Sequence, residues 1–151
     1  MAEIHTQIEA DLKTAMKAGD RTRVSTLRLV TSELVNRRIE LRRALTRDDE
    51  LEILSRAAKQ RRESEEQFRG GGREEMADRE AAEAEIIRAY LPEPLGPAEL
   101  DRLIDEAIEQ VGATSPAGMG AVMGHLMPQV KGRAEGAEVS RRVREKLAAQ
   151  G

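Results

Sequence analysis

Three prolines and a glycine crowd into six residues: Pro92, Pro94, Gly96 and Pro97. No helix runs through such a stretch, because each proline lacks an amide donor and its ring fixes the backbone near φ of about −65°. The chain is therefore expected to divide there into an N-terminal helical domain over 1–93 and a C-terminal helical domain over 97–151. On either side the apolar residues recur at three- and four-residue spacing, and nowhere does a period-two alternation run long enough for a strand. The expected class is all-α, with a bundle of about four helices followed by a smaller domain of about three.

Upstream of the prolines, Ile4, Ile8, Leu12 and Ala15/Met16 lie one turn apart before Gly19. Asp20 is placed to cap a longer helix carrying Val24, Leu27, Val30, Leu34 and Leu41. Thr46 followed by Asp49 resembles a capping box, opening a third helix through Leu51, Leu54, Ala57/Ala58 and Phe68 that ends at Gly70, Gly71 and Gly72. A fourth is expected from about Arg73 to Leu91, with Met76, Ala84, Ile87 and Leu91 on its apolar face. Downstream, Leu100, Leu103, Ile104, Ala107, Ile108 and Val111 define a helix closed by Gly112. Ser115 with Pro116 is expected to cap and start the next, through Met119, Val122, Met123 and Leu126, stopping near Pro128. The last carries Val139, Val143 and Leu147. A C-terminal piece of about 55 residues has a thin core and is expected to lean on the first four helices or on a partner.

Composition narrows the function classes. One Phe, one Tyr and no Trp leave the core to Leu, Ile, Val, Met and Ala, and with no Cys there is no disulfide, thiolate metal site or cysteine nucleophile. Residues 1–20 form a polar amphipathic segment and no run approaches the length of a membrane span, so the expectation is an unexported chain that engages no membrane and resides in the cytoplasm. Two scattered histidines, His5 and His125, offer no metal cluster. The serines have no nucleophile-elbow context, so no catalytic group and no cofactor is expected.

Charge is distributed in blocks: residues 1–20, 21–62, 63–110 and 111–151 carry formal charges of −2, +6, −10 and +3. Such blocks either pair with one another or give the protein one phosphate-facing surface and one repelling surface. Arg outnumbers Lys by 20 to 5, and the guanidinium fork suits phosphate. Without aromatics interleaved among the cations there is no base-stacking platform, so RNA, if bound, is read by shape and backbone.

The least ordinary stretch is Met119-Gly-Ala-Val-Met-Gly-His-Leu-Met-Pro128 followed by Lys131-Gly-Arg-Ala-Glu-Gly136. A glycine inside a helix costs about 1 kcal/mol relative to alanine. Gly120 and Gly124, four apart, thus imply that another backbone approaches closely, either a neighbouring helix or a nucleic acid. Lys131 and Arg133 supply cations in a glycine-flanked loop whose amides can also meet phosphate. The Gly118-x-Gly120 pair is not a dinucleotide fingerprint, since no strand precedes it and Met123 stands where a third glycine is needed.

Leu27-Arg-Leu, Lys59-Gln-Arg-Arg-Glu-Ser-x-Glu-Gln-Phe68, Ala89-Tyr-Leu-Pro92 and the two glycine-rich segments together resemble the YqeY family over nearly the whole chain. That family is similar to the helical tail of GatB, the B subunit of the tRNA-dependent amidotransferase that amidates misacylated Glu-tRNA(Gln) or Asp-tRNA(Asn). The resemblance implies an all-helical, two-part fold and tRNA as partner, rather than DNA. It transfers no catalysis, because nothing in the sequence corresponds to GatB's cradle domain or to the glutaminase subunit. Carried over by position, the RNA-facing group is Gly124, His125, Lys131, Gly132 and Arg133, with Arg141 and Arg142 beside it. Two rival expectations are an adaptor whose acidic helix, Glu74 to Glu85, docks a tRNA synthetase or amidotransferase subunit, and a carbon–nitrogen ligase component, with glutamine as amido donor, active only with other subunits.

Overall fold

The computed structural model describes residues 3–150, and every regular element among them is helical. The helices are α1 (Glu3–Ala18), α2 (Arg21–Leu41), α3 (Arg47–Gly70), α4 (Glu74–Arg88), α5 (Pro97–Val111), α6 (Met119–Val130) and α7 (Gly136–Gln150), with a 3-10 turn at Pro116–Gly118. The all-α class is thus observed. The chain forms two compact units, Met1–Pro92 and Glu93–Gly151. None of the described helices is long and apolar enough to cross a membrane.

In the first unit, α1 pairs with α2 and α3 forms a hairpin with α4. The core is aliphatic, with Ile8, Leu27, Leu34, Leu54 and Ile87 fully buried. Helix starts are set by side chains. Asp20 accepts from the Arg23 amide at 3.2 Å. Thr46 and Asp49 form a reciprocal capping box, the Asp49 amide donating to Thr46 Oγ1 at 3.1 Å and the Thr46 amide to Asp49 Oδ2 at 2.8 Å. Arg43 fastens that box, its Nη1 lying 2.6 Å from Asp49 Oδ2. These bonds, Arg43 foremost, hold the Asp49 carboxyl well below the usual carboxylate range. At the far end of α3, Gly72 takes φ of +77°, the left-handed conformation that lets the hairpin turn into α4.

Glu50, 1% exposed, carries a long-range link. Its Oε2 accepts from the His5 amide at 2.7 Å, so a carboxylate from the first turn of α3 serves an orphan donor in the first turn of α1. The negative charge also complements the positive end of the α1 dipole. Tyr90, just past α4, donates its hydroxyl to Asp11 of α1. Burial, reinforced by that carboxylate, pushes the phenol well above its ordinary pKa.

The second unit packs α5, α6 and α7 around Ile104, Ala107, Val122, Leu126, Val130, Val139, Val143 and Leu147, all fully buried. Gly112 closes α5 at φ of +70°.

Four local expectations are corrected. α4 ends at Arg88 rather than Leu91, because Tyr90 and Leu91 donate to the Ile87 and Arg88 carbonyls in a tightened turn. Met76 is exposed, and the buried line on α4 is Ala77, Ala84 and Ile87. Ser115 makes no side-chain cap, and Pro116 opens the 3-10 turn instead of α6. Finally, α6 continues past Pro128 to Val130. Proline forfeits one bond, but Val130 gains full burial and the Lys131 amide still reaches the Met127 carbonyl at 2.9 Å.

Replacing Glu50 by Ala strands the His5 amide in a partly buried site. A loss of about 1–3 kcal/mol is expected from urea unfolding. Asp49→Ala should cost about 1 kcal/mol near neutral pH. Because the folded-state pKa of Asp49 is depressed, that stabilisation is complete above its unfolded value of about 4 and fades as pH falls below it. Unfolding curves of parent and Asp49→Ala, recorded from pH 6 down to pH 2.5, should therefore stay a constant distance apart down to about pH 4 and draw closer below it, without meeting in that range.

Candidate functional site

In the second unit, Gly124 and His125 lie on the exposed side of α6, in line with Gly120, Ala121, Pro128 and Gln129. A Cβ built at Gly120 or Gly124 would meet nothing within 4 Å. Among the described residues of the second unit, therefore, no neighbouring helix approaches either glycine, and packing against α5 or α7 is not the close approach expected from the sequence. α6 carries no charged residue, so this face is small and neutral.

The cations of the α6–α7 region are mostly engaged. Gly132 sits at φ of +79° and turns the chain between α6 and α7. Lys131, at the C-cap of α6, is partly buried. Arg133 fastens the proline segment: its Nε donates to the Glu93 carbonyl at 3.0 Å, its own carbonyl accepts from the Leu95 amide at 2.9 Å, and its Nη2 lies 3.9 Å from Glu99. Arg141 is held between Glu138 at 2.8 Å and Glu145 at 2.9 Å. Arg142 bridges Glu138 at 2.7 Å and Asp101 of α5 at 3.0 Å, and Lys146 meets Asp105 of α5 at 2.8 Å. Arg142 first, then Arg141, lowers the Glu138 carboxyl below its ordinary range. The expected group is thus brought together in one unit, with its arginines in structural contacts.

A different set of cations stands open on the first unit. Arg21, Arg28, Arg38, Arg42 and Arg47 are all exposed, and none has a carboxylate within ion-pair distance among the described residues. At about 100° per residue, Arg21, Arg28 and Arg38 fall within an arc of about 100° on α2. The same arc contains Val24, Thr31, Val35 and Ile39, with Ser25 and Ser32 just beside it, whereas the acidic residues of α2, Glu33 and Glu40, lie farther round. From Arg21 to Arg38 the helix advances about 25 Å. The N-terminal end of this face borders a groove of about 790 Å³ against α1, lined by Met16, Val24 and Leu29 as well as Arg21 and Arg28. At its other end Arg42 adopts φ of +55°, the one non-glycine residue with positive φ among those described. There it closes α2, its amide donating to the Arg38 carbonyl at 2.9 Å, at a cost of about 1–2 kcal/mol for a left-handed non-glycine residue.

The YqeY family model, described as Yqey-like protein, matches residues 5–147. The chain belongs to this family. Its curated relatives include three fungal proteins named altered inheritance of mitochondria protein 41, mitochondrial. That of Pyrenophora tritici-repentis is 30% identical over 95% of this chain and 81% of its own length. Those of Eremothecium gossypii and Lachancea thermotolerans are 34% and 32% identical, over 56% and 73% of this chain and 46% and 60% of their own lengths. These mitochondrial names overturn the cytoplasmic placement drawn from the sequence. A cysteine-free chain without apolar runs is equally at home in another reducing compartment, so composition never discriminated between them.

From the sequence, Arg28, Arg37, Arg38, Arg42 and Arg43 fall on the second helix, and that basic helix and the third are expected to extend an RNA-facing surface. What the sequence did not show was which arginines the fold would neutralise, since Arg37 pairs with Glu40 and Arg43 with Asp49 while their neighbours Arg38 and Arg42 do not. Arg42 gives a direct check. Arg42→Gly removes the left-handed strain, offset by the greater backbone freedom glycine loses on folding, so thermal unfolding should show stability unchanged or raised by up to about 1 kcal/mol. A clear loss of stability would show that Arg42 serves the fold.

Proposed function

We propose that this protein is a non-catalytic RNA-binding module whose partner is tRNA, engaged chiefly through the arginine face of α2 and its corner with α3. The observation that carries this reading is the row of exposed arginines without carboxylate partners, set over about 25 Å on a helix face free of acid. Guanidinium groups so placed meet successive phosphates, and with one Tyr and one Phe in the chain the contact is to backbone and shape rather than to stacked bases. The small neutral face of α6, with Gly124 and His125, and the Lys131–Arg133 loop form a second contact in this proposal, since exposed glycines let a sugar–phosphate backbone come close.

The rival adaptor reading draws less support from the geometry. Of the acidic stretch Glu74 to Glu85, Glu74 and Asp78 are bound by Arg69, Glu83 by Arg61 and Glu85 by Arg88. Four of its six carboxylates thus sit in ion pairs already, leaving fewer of them open to a basic synthetase or amidotransferase subunit.

Binding of a tRNA mixture should weaken steeply with salt, and duplex DNA of similar length should bind more weakly. Arg28→Ala with Arg38→Ala should lower the slope of log affinity against log salt by about 0.7–0.9 for each phosphate no longer neutralised. Arg141→Ala should leave it nearly unchanged. A slope indifferent to the α2 pair, or binding no tighter than to DNA, would contradict the proposal and favour the protein adaptor.

A further inference from the structure

A polar cleft of about 530 Å³ opens among α2, α3 and α4, with Glu33, Gln60, Arg61, Glu63, Glu80 and Glu83 in its lining. Its volume lies in the range of small-molecule sites. Arg61 is the unusual member, with only 8% of its side chain exposed. Its Nη1 donates to the Ala57 carbonyl at 3.2 Å, but its buried Nε has no hydrogen-bond acceptor. The nearest carboxylate, Glu83, is 3.7 Å away, close enough for attraction and too far for a hydrogen bond.

The carboxylates opposite are as incompletely served. Glu33 and Glu80 are partly buried, and neither has a hydrogen bond or ion pair among the described residues. Burial raises the pKa of both, and the nearby Glu83 adds to the rise at Glu80. A buried donor without an acceptor beside two sheltered carboxylates without donors is a costly arrangement for a fold to maintain. Glu63 is paired with Lys59 at 3.9 Å. A purely cationic ligand would leave Arg61 unserved and be repelled by it, and a purely anionic one would be repelled by the other three glutamates. A zwitterion answers both. With Arg61 facing Glu33, Glu80 and Glu83, the cleft still carries excess negative charge after one carboxylate and one ammonium are accommodated, which favours a second cationic group on the ligand.

We propose that this cleft binds a free basic α-amino acid, its carboxylate on Arg61 and its ammonium groups among Glu33, Glu80 and Glu83. The site is independent of the RNA-binding proposal.

The test is calorimetric titration of the full chain with L-lysine, with cadaverine, which is lysine without its carboxylate, and with L-glutamate. L-lysine should bind and raise the melting temperature. Cadaverine should bind at least about tenfold more weakly, as expected for losing a charge-assisted hydrogen bond, and L-glutamate should not bind measurably. Glu33→Gln and Glu80→Gln, each confirmed folded by its melting curve, should weaken L-lysine about tenfold or more. These exchanges keep the side-chain size, and neither position is part of the fully buried core. No binding of L-lysine at millimolar concentration to the folded protein, equal affinity for cadaverine, or undiminished binding by both glutamine variants would overturn the proposal.

Discussion

Every helix of this protein must bury a narrow aliphatic stripe against other helices, with almost no aromatic mass to help. α1 buries Ile4, Ile8 and Ala15, and α7 buries Val139, Val143 and Leu147. Stripes of three to five apolar residues leave most of each helix surface outside the core, and in a chain that is 35% charged that surface is dense in ions. The fold therefore hinges on where those ions go. Some become part of its framework: Glu50 serves an α1 amide, Arg43 fastens the α3 capping box, Arg142 and Lys146 tie α7 to α5, and Arg133 holds the proline segment. The exposed pairs among them contribute little individually, in the range of about 0–1 kcal/mol, but they decide which charges remain to meet a partner.

What remains is unevenly placed. On α2 the acids sit to one side and the unpaired arginines to the other, so positive potential accumulates along one face. Arg42 sharpens the point, because glycine or asparagine would suit its backbone conformation better. The α2–α4 side holds the opposite arrangement, with one buried arginine outnumbered by glutamates in a cleft. The α6 face is different again, with no acid, lysine or arginine and open space over Gly120 and Gly124.

Local signals made much of the fold legible. Asp20, Thr46 with Asp49, Gly72 and Gly112 act within a few residues of themselves, and the structure uses each as a cap or turn. Signals that depend on distant residues were not legible. Glu50 looks like any acid in a first helical turn until α1 is folded against it. Pro128 looks like a stop unless the burial of Val130 is known. Arg141 and Arg142 look like free cations on a basic helix, yet Glu138, Glu145 and Asp101 claim them. Gly120 and Gly124 signalled a close approach, and the described residues leave that space open. Periodicity locates a helix face; only tertiary structure says what covers it.

In the proposed function the α2 face, rather than the ion-paired arginines of the C-terminal unit, is the main RNA-contacting surface. Hydrogen–deuterium exchange of the free protein and of its complex with a tRNA mixture tests this choice directly, because it reports on every helix at once. New protection should concentrate in peptides covering α2 and the corner near Arg42 and Arg47, with a weaker effect near Gly124 to Arg133. Protection confined to residues 124–142, with α2 unchanged, would contradict it.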